Sequence, residues 1–325
     1  MTLPPPAGIL HQVGTPIILD CDPGHDDALA IMLAAAHPAV DLLAISTVAG
    51  NQTLDKTTRN ARRVCDIAGI SGVPIVAGRA DPLRGKRIIA DDVHGESGLD
   101  GPDLGPPVTP VTSTDGVGYL RDLLRARAEP LTVVATGPLT NVAALLLAAP
   151  DVAAAIDRIV FMGGSTGEGN ATPYAEFNVL ADPEAADIVV HSGIPVAMCG
   201  LNVTHQALVD QAVLDRIAAI GSPLARVCVE LLGFFGSTYR EIWGFPAPPL
   251  HDPVAVALVA EPDVVETVRT RVDIELTGTY TRGATVVDRY ARTGRPPNAE
   301  VAVGLDTGRF WDLVTAAVAR LSTEE

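Results

Sequence analysis

IILDCDPGHDD, at residues 17–27, joins an apolar run directly to four carboxylates. The run Ile17–Leu19 predicts a buried strand, and Pro23-Gly24 permits a tight turn after it. Residues 26–36 then follow with the length and composition of a helix. Ligands of parallel α/β sheets bind outside the carboxyl ends of the strands, so this acidic turn lies where chemistry is expected.

Apolar runs of strand length alternate with longer Ala- and Leu-rich stretches through the rest of the chain. Strands are predicted at 16–19, 40–48, 74–77, 131–135, 158–162, 195–201, 268–276 and 301–305. Helices are predicted at 26–36, 54–67, 116–127, 139–149, 183–191, 213–220, 252–260 and 308–321. Strands that are apolar on both faces indicate an open, mainly parallel α/β sheet with helices on both faces.

Two stretches interrupt this alternation. Residues 78–115 are rich in Gly, Pro and Asp and contain HGESGLDG at 94–101, and a loop of this length is usually functional or disordered. Residues 233–249 mix aromatic residues with Gly and Pro and predict a mobile flap over a site. No repeat or linker divides the chain, so we expect one domain over 1–325, with 1–15 as a flexible N-terminal extension.

Composition and charge narrow the possible partners of this 325-residue chain. It is 47% hydrophobic and 19% charged, with 23 Lys and Arg against 39 Asp and Glu, a formal charge of -16. That charge repels nucleic acid polymers and anionic membranes. The longest apolar run, 142–150, is far shorter than the roughly 20 residues of a membrane span. The four cysteines form no CxxC pair and no signal peptide is evident, so a cytoplasmic protein with a small-molecule partner is expected.

The acidic turn permits two interpretations. Asp26 and Asp27 stand where a helix N-terminus favours negative charge and need no further function. Four carboxylates within eight residues nevertheless repel one another unless a cation neutralises them, and ligands that are all oxygen suit Ca²⁺ or Mg²⁺ rather than zinc. The loop is no EF-hand, because Ile31 occupies its twelfth position. Neither GxxxxGK[ST] nor GxGxxG after a strand occurs, which leaves kinase and dinucleotide-binding functions without support.

Two further groups of polar residues also permit both a functional and a purely structural interpretation. His251-Asp252-Pro253 precedes an apolar helix, where Asp and Pro are ordinary N-terminal residues. Residues 168–178, EGNATPYAEFN, place amides and carboxylates in a loop after a predicted strand. Such groups pair with the hydroxyls of a polyhydroxyl ligand, although, for this segment taken alone, loop solvation is the favoured explanation.

Six blocks together resemble the inosine-uridine preferring nucleoside hydrolases. They are DCDPGHDD at 20–27, TVAGNQT at 47–53, HGESGLDG at 94–101, ATGPLTN at 135–141, EFNVLADPEAA at 176–186 and HDP at 251–253. The resemblance implies a Rossmann-like α/β fold and a calcium-dependent enzyme that hydrolyses the N-glycosidic bond of ribonucleosides to ribose and free nucleobase. It also implies a homodimer or homotetramer that acts in nucleoside catabolism and in purine and pyrimidine salvage.

The resemblance also assigns roles to individual residues. The expected calcium ligands are Asp22, Asp27 and Asp252, with the backbone carbonyl of Thr136. Asp22 is expected to be the general base and His251 the acid for the leaving base. The residues expected to bind substrate are Asp26, Asn51, His94, Met162, Asn170, Glu176, Phe177, Asn178, Tyr239 and Trp243. Trp243 and the PAPP that follows depart from the family pattern, so the preferred nucleobase stays open.

Two other functions are compatible with parts of the sequence. GGSTG at 163–167 fits GxSxG and would make Ser165 the nucleophile of a serine hydrolase, but that motif needs a helix directly after the serine. The sequence continues instead with Gly, Asn and Pro. A non-catalytic ribose- or calcium-binding module would explain the polar groups, yet it leaves Asp22 and His251 without a role.

Overall fold

The computed structural model describes residues 14–323, which form a nine-stranded sheet flanked by helices. The strands are β1 (Thr15–Cys21), β2 (Val40–Thr47), β3 (Ile75–Ala77), β4 (Leu131–Ala135), β5 (Ile156–Met162), β6 (Val196–Cys199), β7 (Val265–Ile274), β8 (Thr285–Asp288) and β9 (Ala299–Leu305). Their order is β3-β2-β1-β4-β5-β6-β9-β7-β8. The first seven strands in that order are parallel to one another. At one edge, β7 pairs antiparallel with β9, and β8 pairs antiparallel with β7.

Helices connect the strands and cover the sheet. They are α1 (His25–Ala36), α2 (Leu54–Ile67), α3 (Asp91–His94), α4 (Gly116–Ala126), α5 (Thr140–Ala148), α6 (Phe177–Ala181), α7 (Pro183–Val190), α8 (Leu201–Thr204), α9 (Gln211–Ala218), α10 (Pro223–Trp243), α11 (Asp252–Ala260) and α12 (Thr307–Leu321). Two 3₁₀ helices occur at Pro150–Ala155 and Pro262–Val264. Every helix of residues 14–323 is too short or too polar to cross a membrane.

The sheet separates two hydrophobic clusters, and β1 contributes to both. Ile17 and Leu19 pack in one cluster with α1, α11 and α12, while Ile18 packs in the other with α4, α5 and α7. Because successive side chains of a strand point to opposite faces, a strand covered on both sides must be apolar at every position. The open α/β fold with helices on both faces is therefore confirmed, and β1 is the third strand from one edge of the sheet.

The predicted elements agree with the structure at most positions, and α2 and α11 have the bounds that the sequence predicted. Strand β8 was missed because it has four residues and none is buried. The predicted N-terminal extension lies outside the described residues apart from Gly14 and Thr15, and Thr15 begins β1. Residues 78–115 are irregular apart from the single turn α3, in keeping with the prediction of a long loop.

The prediction of a mobile flap at 233–249 was wrong for its first eleven residues. They form the second half of α10, which is 21 residues long. Phe235 and Tyr239 are buried at positions i and i+4 and continue the apolar stripe of the first half of the helix. Gly233 and Gly236 interrupt this apolar stripe, so the helical period of the segment was not evident from the sequence. The helix ends at Gly244, whose φ of 71° is a common helix C-terminal conformation.

Candidate active site

A cavity of about 410 Å³ opens at the carboxyl ends of the parallel strands. Thirteen of the fifteen residues that the sequence predicted for the site line it. They are Asp26, Asn51, His94, Thr136, Met162, Asn170, Glu176, Phe177, Asn178, Tyr239, Trp243, His251 and Asp252. The other two, Asp22 and Asp27, are fully buried and do not line the cavity.

The Asp22 carboxylate has room because two of its neighbours, Gly50 and Gly137, have no side chain. A Cβ on Gly50 would stand 2.0 Å from Asp22 Oδ2, and one on Gly137 would stand 2.7 Å from Oδ1. The Asn51 amide donates to Oδ2 at 2.7 Å. Oδ1 is buried without a hydrogen-bond partner among residues 14–323. A buried carboxylate oxygen without a partner is costly, so this atom requires a water or a cation.

Asp26, Asp27 and Asp252 each offer a carboxylate oxygen, and these three oxygens lie within 4.8 Å of one another. Asp27 is held by the Thr136 hydroxyl at 2.8 Å and by the Asn51 side-chain amide at 3.0 Å. Burial raises the pKa of all three groups, Asp26 to about 7, and the nearby carboxylates raise the pKa of Asp252 further. No Lys or Arg of the described chain pairs with them, so a metal cation is the group that fits this cluster.

Asp20 completes the acidic end of β1, although the sequence assigned it no role. Asn141, in the first turn of α5, donates to Asp20 Oδ1 at 2.7 Å, and the Thr136 amide donates to the Asp20 carbonyl at 2.8 Å. Burial raises the pKa of Asp20 to about 7. These bonds join the ends of β1 and β4 and so position Asp22 and Thr136 beside each other.

The predicted ribose-binding residues of the 168–178 loop also hold the loop in place. Asn170 Oδ1 accepts from the Phe177 amide at 2.9 Å, and the Glu176 carboxylate accepts from the amides of Gly164, Asn178 and Val179. Asn178 Nδ2 donates to the Thr136 carbonyl at 2.7 Å. These side chains reach the cavity with part of their hydrogen-bonding capacity already used.

His251 is engaged through both ring nitrogens. Nδ1 lies 2.7 Å from Thr204 Oγ1, and Nε2 lies 2.7 Å from Tyr239 Oη. Burial, together with the nearby His205, lowers the pKa of His251 well below its usual range. The imidazole is therefore neutral, and any proton it supplies belongs to a chain of hydrogen bonds with two hydroxyls.

Apolar residues that the sequence did not assign to the site also line the cavity. They are Ile88, Ile89, Val93, Leu180, Phe235 and Ile242. Phe235 and Ile242 lie on the same face of α10 as Tyr239, so a correct prediction of this helix would have indicated that they belong to the site. For Ile88 and Ile89, the sequence signal was a pair of adjacent apolar residues in a loop rich in Gly, Pro and Asp.

The comparisons with known proteins agree with this geometry. A family model described as inosine-uridine preferring nucleoside hydrolase matches residues 17–312. The chain belongs to this family. The pyrimidine-specific ribonucleoside hydrolase RihA of Shewanella sp. strain ANA-3 is 49% identical over 305 residues, covering 94% of this chain and 96% of the relative. RihA of Salmonella arizonae is 51% identical over 300 residues, covering 92% and 96%.

Solved structures place the chain in the same family. A purine-preferring ribonucleoside hydrolase from Gardnerella vaginalis has a TM-score of 0.88 and 30% identity, covering 95% of this chain and 100% of the other. The chain is thus an enzyme that hydrolyses ribonucleosides to ribose and free base, which confirms the predicted family and activity. The family is metal-dependent, and the acidic cluster is able to bind a metal ion.

The serine hydrolase alternative has no support in the structure. The first helix after Ser165 is α6, which begins at Phe177, so the strand–turn–helix arrangement is missing. Ser165 Oγ accepts from the Gly167 amide at 3.1 Å. Within residues 14–323 no histidine ring hydrogen-bonds to Ser165. A non-catalytic binding module is excluded by the family to which the chain belongs.

Proposed function

We propose that this chain is a calcium-dependent hydrolase that prefers pyrimidine ribonucleosides, with Asp22 as general base and His251 as the acid for the leaving base. The observation that carries the proposal is the unpartnered Oδ1 of Asp22 beside three clustered carboxylates, two of which line the cavity. An acidic cluster alone is common in proteins. A buried carboxylate oxygen without a partner, next to a substrate-sized cavity, is not.

The residues present fit a calcium ion. Asp22, Asp27 and Asp252 would hold it together with the Thr136 carbonyl, all of them oxygen ligands of the kind that calcium prefers. The Asp22 and Asp27 oxygens that hydrogen-bond to Asn51 keep both side chains in place without a metal. When bound, calcium would orient the ribose hydroxyls and water and lower the pKa of that water.

Hydrolysis of a ribosyl C–N bond passes through an oxocarbenium-like state, by analogy with inverting glycosidases. Asp22 Oδ1 takes the proton of the attacking water, because Oδ2 is already occupied by the Asn51 amide. Asp26 and Asn51 line the cavity and hold the ribose hydroxyls, together with Asn170, Glu176 and Asn178.

Departure of the base requires stabilisation of the charge that develops on it. His251 is neutral and hydrogen-bonded to Tyr239, and both side chains line the cavity. His251 and Tyr239 therefore act together as the acid. When one group gives its proton to the leaving base, the other replaces that proton through the hydrogen bond between them. General acid catalysis of this kind contributes about 10²–10⁴-fold.

The pyrimidine preference follows the relatives of about 50% identity, which are named pyrimidine-specific. The more distant structural neighbour is named purine-preferring, so the base preference differs within the family. Aromatic side chains of α10, Phe235, Tyr239 and Trp243, offer stacking surfaces for a flat base of either class.

The proposal extends to location and assembly. The four cysteines, at 21, 65, 199 and 228, are all buried and unpaired, which suits a reducing compartment such as the cytoplasm. A homodimer or homotetramer acting in nucleoside salvage is what the family resemblance implies.

A nucleoside panel tests the proposal. Free base released from uridine, cytidine, inosine, adenosine and the matching deoxyribonucleosides is quantified by chromatography, after chelation and after calcium is added back. We expect uridine and cytidine to be hydrolysed fastest, deoxyribonucleosides poorly, and all turnover to stop on chelation and return with calcium. Retained turnover in chelator would contradict the metal role, and faster purine hydrolysis would contradict the base preference.

Two variants test the residue roles on the same panel. Asp22→Asn should lose at least about 10³-fold in kcat, while Asp157→Asn, an exposed aspartate on β5, serves as the matched control. His251→Ala should lose natural nucleosides far more than nitrophenyl riboside, whose leaving group needs no acid. Equal losses on both substrates would remove the role of His251 as acid.

A further inference from the structure

We propose that Asp182 is a positioning residue for the reaction. Its buried carboxylate fixes the loop that presents Ile88 and Ile89 to the cavity, and so sets how tightly the nucleoside binds. Asp182 belongs to the EFNVLADPEAA block, and no role was assigned to it there. The inference holds for whichever nucleobase is preferred. It rests on the proposed function only in taking the cavity as the place where the nucleoside binds.

The Asp182 carboxylate receives three hydrogen bonds. Oδ1 accepts from the Ala185 amide at 3.1 Å, at the N-terminus of α7. Oδ2 accepts from the Thr140 hydroxyl at 2.7 Å and from the Leu83 amide at 2.8 Å. The side chain is fully buried, and within residues 14–323 no Lys or Arg pairs with it. One carboxylate therefore joins α5, α7 and the loop that precedes α3.

The loop depends on this contact because little else holds its backbone. The backbone of residues 84–89 makes no hydrogen bond within the part of the chain that the structure describes. The amides that flank this span belong to Leu83 and to Ala90, which donates to the Gly50 carbonyl at 3.3 Å. That bond is longer than the usual range, whereas the 2.8 Å bond to Asp182 lies within it. Asp182 thus provides the stronger of the two backbone contacts that bound the span.

The same span connects the cavity to the surroundings of Asp182. Ile88 and Ile89 line the cavity. Ile88 also lines a separate space of about 10 Å³, together with Pro138, Thr140 and Ala181. A space of this size holds at most one water molecule, so the loop, the start of α5 and the end of α6 are closely packed there. Ala181 directly precedes Asp182, so the position of Ile88 and the hydrogen bonds of Asp182 belong to one junction.

We expect the consequence in substrate binding rather than in the chemical step. Ile88 and Ile89 are apolar and have no group that moves a proton or stabilises a developing charge. Their contacts with a nucleoside are therefore equal in the ground state and the transition state, and such contacts lower KM without raising kcat. The carboxylates proposed for the reaction lie on other segments, the turn after β1 and the start of α11.

A first pair of variants tests the carboxylate. Asp182→Ser keeps an oxygen for the N-terminus of α7 but supplies nothing in place of Oδ2. Asp210→Ser makes the same change at α9, where the Asp210 side chain accepts from the Val213 amide at 2.9 Å. None of the residues of α9 lines the cavity, so this variant is the matched control.

Steady-state kinetics are measured in calcium with the nucleoside that the wild type hydrolyses fastest. Asp182→Ser should raise KM by about 5- to 30-fold, as expected when a buried donor loses its partner, and should leave kcat within about threefold. Asp210→Ser should leave both constants within about twofold of the wild type. Thermal unfolding checks that both variants are folded.

A second pair of variants tests the donor and leaves Asp182 unchanged. Leu83→Pro removes the amide hydrogen, whereas Leu83→Ala keeps it. Both lose the Leu83 side chain, which packs against the hydrophobic cluster, so the comparison cancels that loss. KM of Leu83→Pro should exceed that of Leu83→Ala by at least about fivefold. Leu83 lies outside every helix and strand, so this pair decides the question if Asp182→Ser does not fold.

Hydrogen exchange shows whether the loop itself has changed. In Asp182→Ser the Leu83 amide should exchange at least about tenfold faster than in the wild type, while the amides of α7 keep their rates. A loss of protection throughout α7, with equal KM in the two Leu83 variants, would mean that Asp182 only stabilises the helix and would overturn the inference.

The kinetic outcomes separate the inference from the proposed function. A folded Asp182→Ser enzyme with wild-type KM would overturn the inference. So would a fall in kcat at unchanged KM, because Asp182 would then act on the chemical step. Turnover retained by Asp22→Asn or in chelator instead contradicts the proposed function alone, and the KM ratios of the two pairs can still be measured.

Discussion

Gly50→Ala tests whether the position of Asp22 controls turnover. The added Cβ would stand 2.0 Å from Asp22 Oδ2, whereas real Cβ contacts are essentially never under 3.0 Å. The carboxylate must therefore move by at least about 1 Å, and its 2.7 Å bond from the Asn51 amide is lost or lengthened. Gly50 has no positive φ, so the substitution adds no backbone strain of its own.

A misplacement of about 1 Å at a reacting group costs on the order of 10²-fold. We therefore expect kcat/KM for the best nucleoside to fall roughly 100-fold, equivalent to about 2.7 kcal/mol of transition-state stabilisation. Calcium affinity, measured by titration calorimetry, should fall as well, since Asp22 is a proposed ligand. The chemistry of every catalytic side chain is unchanged in this variant, so the loss reports geometry alone.

Gly167→Ala is the matched control, because its Cβ would meet no atom within 4 Å and its φ is not positive. Its kcat/KM should stay within about threefold of the wild type. Circular dichroism and thermal unfolding check that both variants are folded. A folded Gly50→Ala enzyme with wild-type kcat/KM would refute the reasoning, because Asp22 would then tolerate a displacement that general base catalysis does not.

Two further predictions concern stability. Asp252→Asn should raise the Tm in chelator by roughly 2 °C, or about 1 kcal/mol of unfolding free energy, because at neutral pH it removes a carboxylate whose pKa is raised by burial and by Asp26 and Asp27. With calcium bound, the wild type should be more stable than the variant. Thermal unfolding of both proteins in chelator and in calcium checks this reversal. Gly233→Ala should stabilise by about 0.5–1 kcal/mol in urea unfolding with activity unchanged, because its Cβ meets no atom within 4 Å in the interior of α10; a mobile loop at this position would show no such gain.

The acidic end of β1 was predictable from the sequence because a single local pattern specifies it. Ile17, Ile18 and Leu19 are apolar in succession, which indicates a strand covered on both faces, and the carboxylates follow at once. The end of such a strand lies at the ligand-binding edge of a parallel sheet. Most of the substrate-binding residues were instead found through the family resemblance, since isolated asparagines and aromatics carry little signal of their own.

The parts that were missed depend on contacts between distant segments. His25 contacts His94 and the Asp100 carbonyl, which lie 69 and 75 residues further along the chain. No helix was predicted anywhere within α10. In its second half two glycines interrupt the apolar stripe, and the packing of Phe235 and Tyr239 outweighs that local preference. The dependence of Asp22 on Gly50 and Gly137 was invisible for the same reason.

The helical wall of the cavity bears on how the substrate range of this enzyme could be changed. Because residues 235, 242 and 243 project from one helix, they form a compact set that a combinatorial library can sample completely, while Tyr239 is kept for its bond to His251. The carboxylates beneath belong to other segments, so such a library would alter which bases are accepted while leaving the ribose-cleaving apparatus intact. Engineering for new nucleoside analogues, such as prodrugs, should therefore begin on this helix.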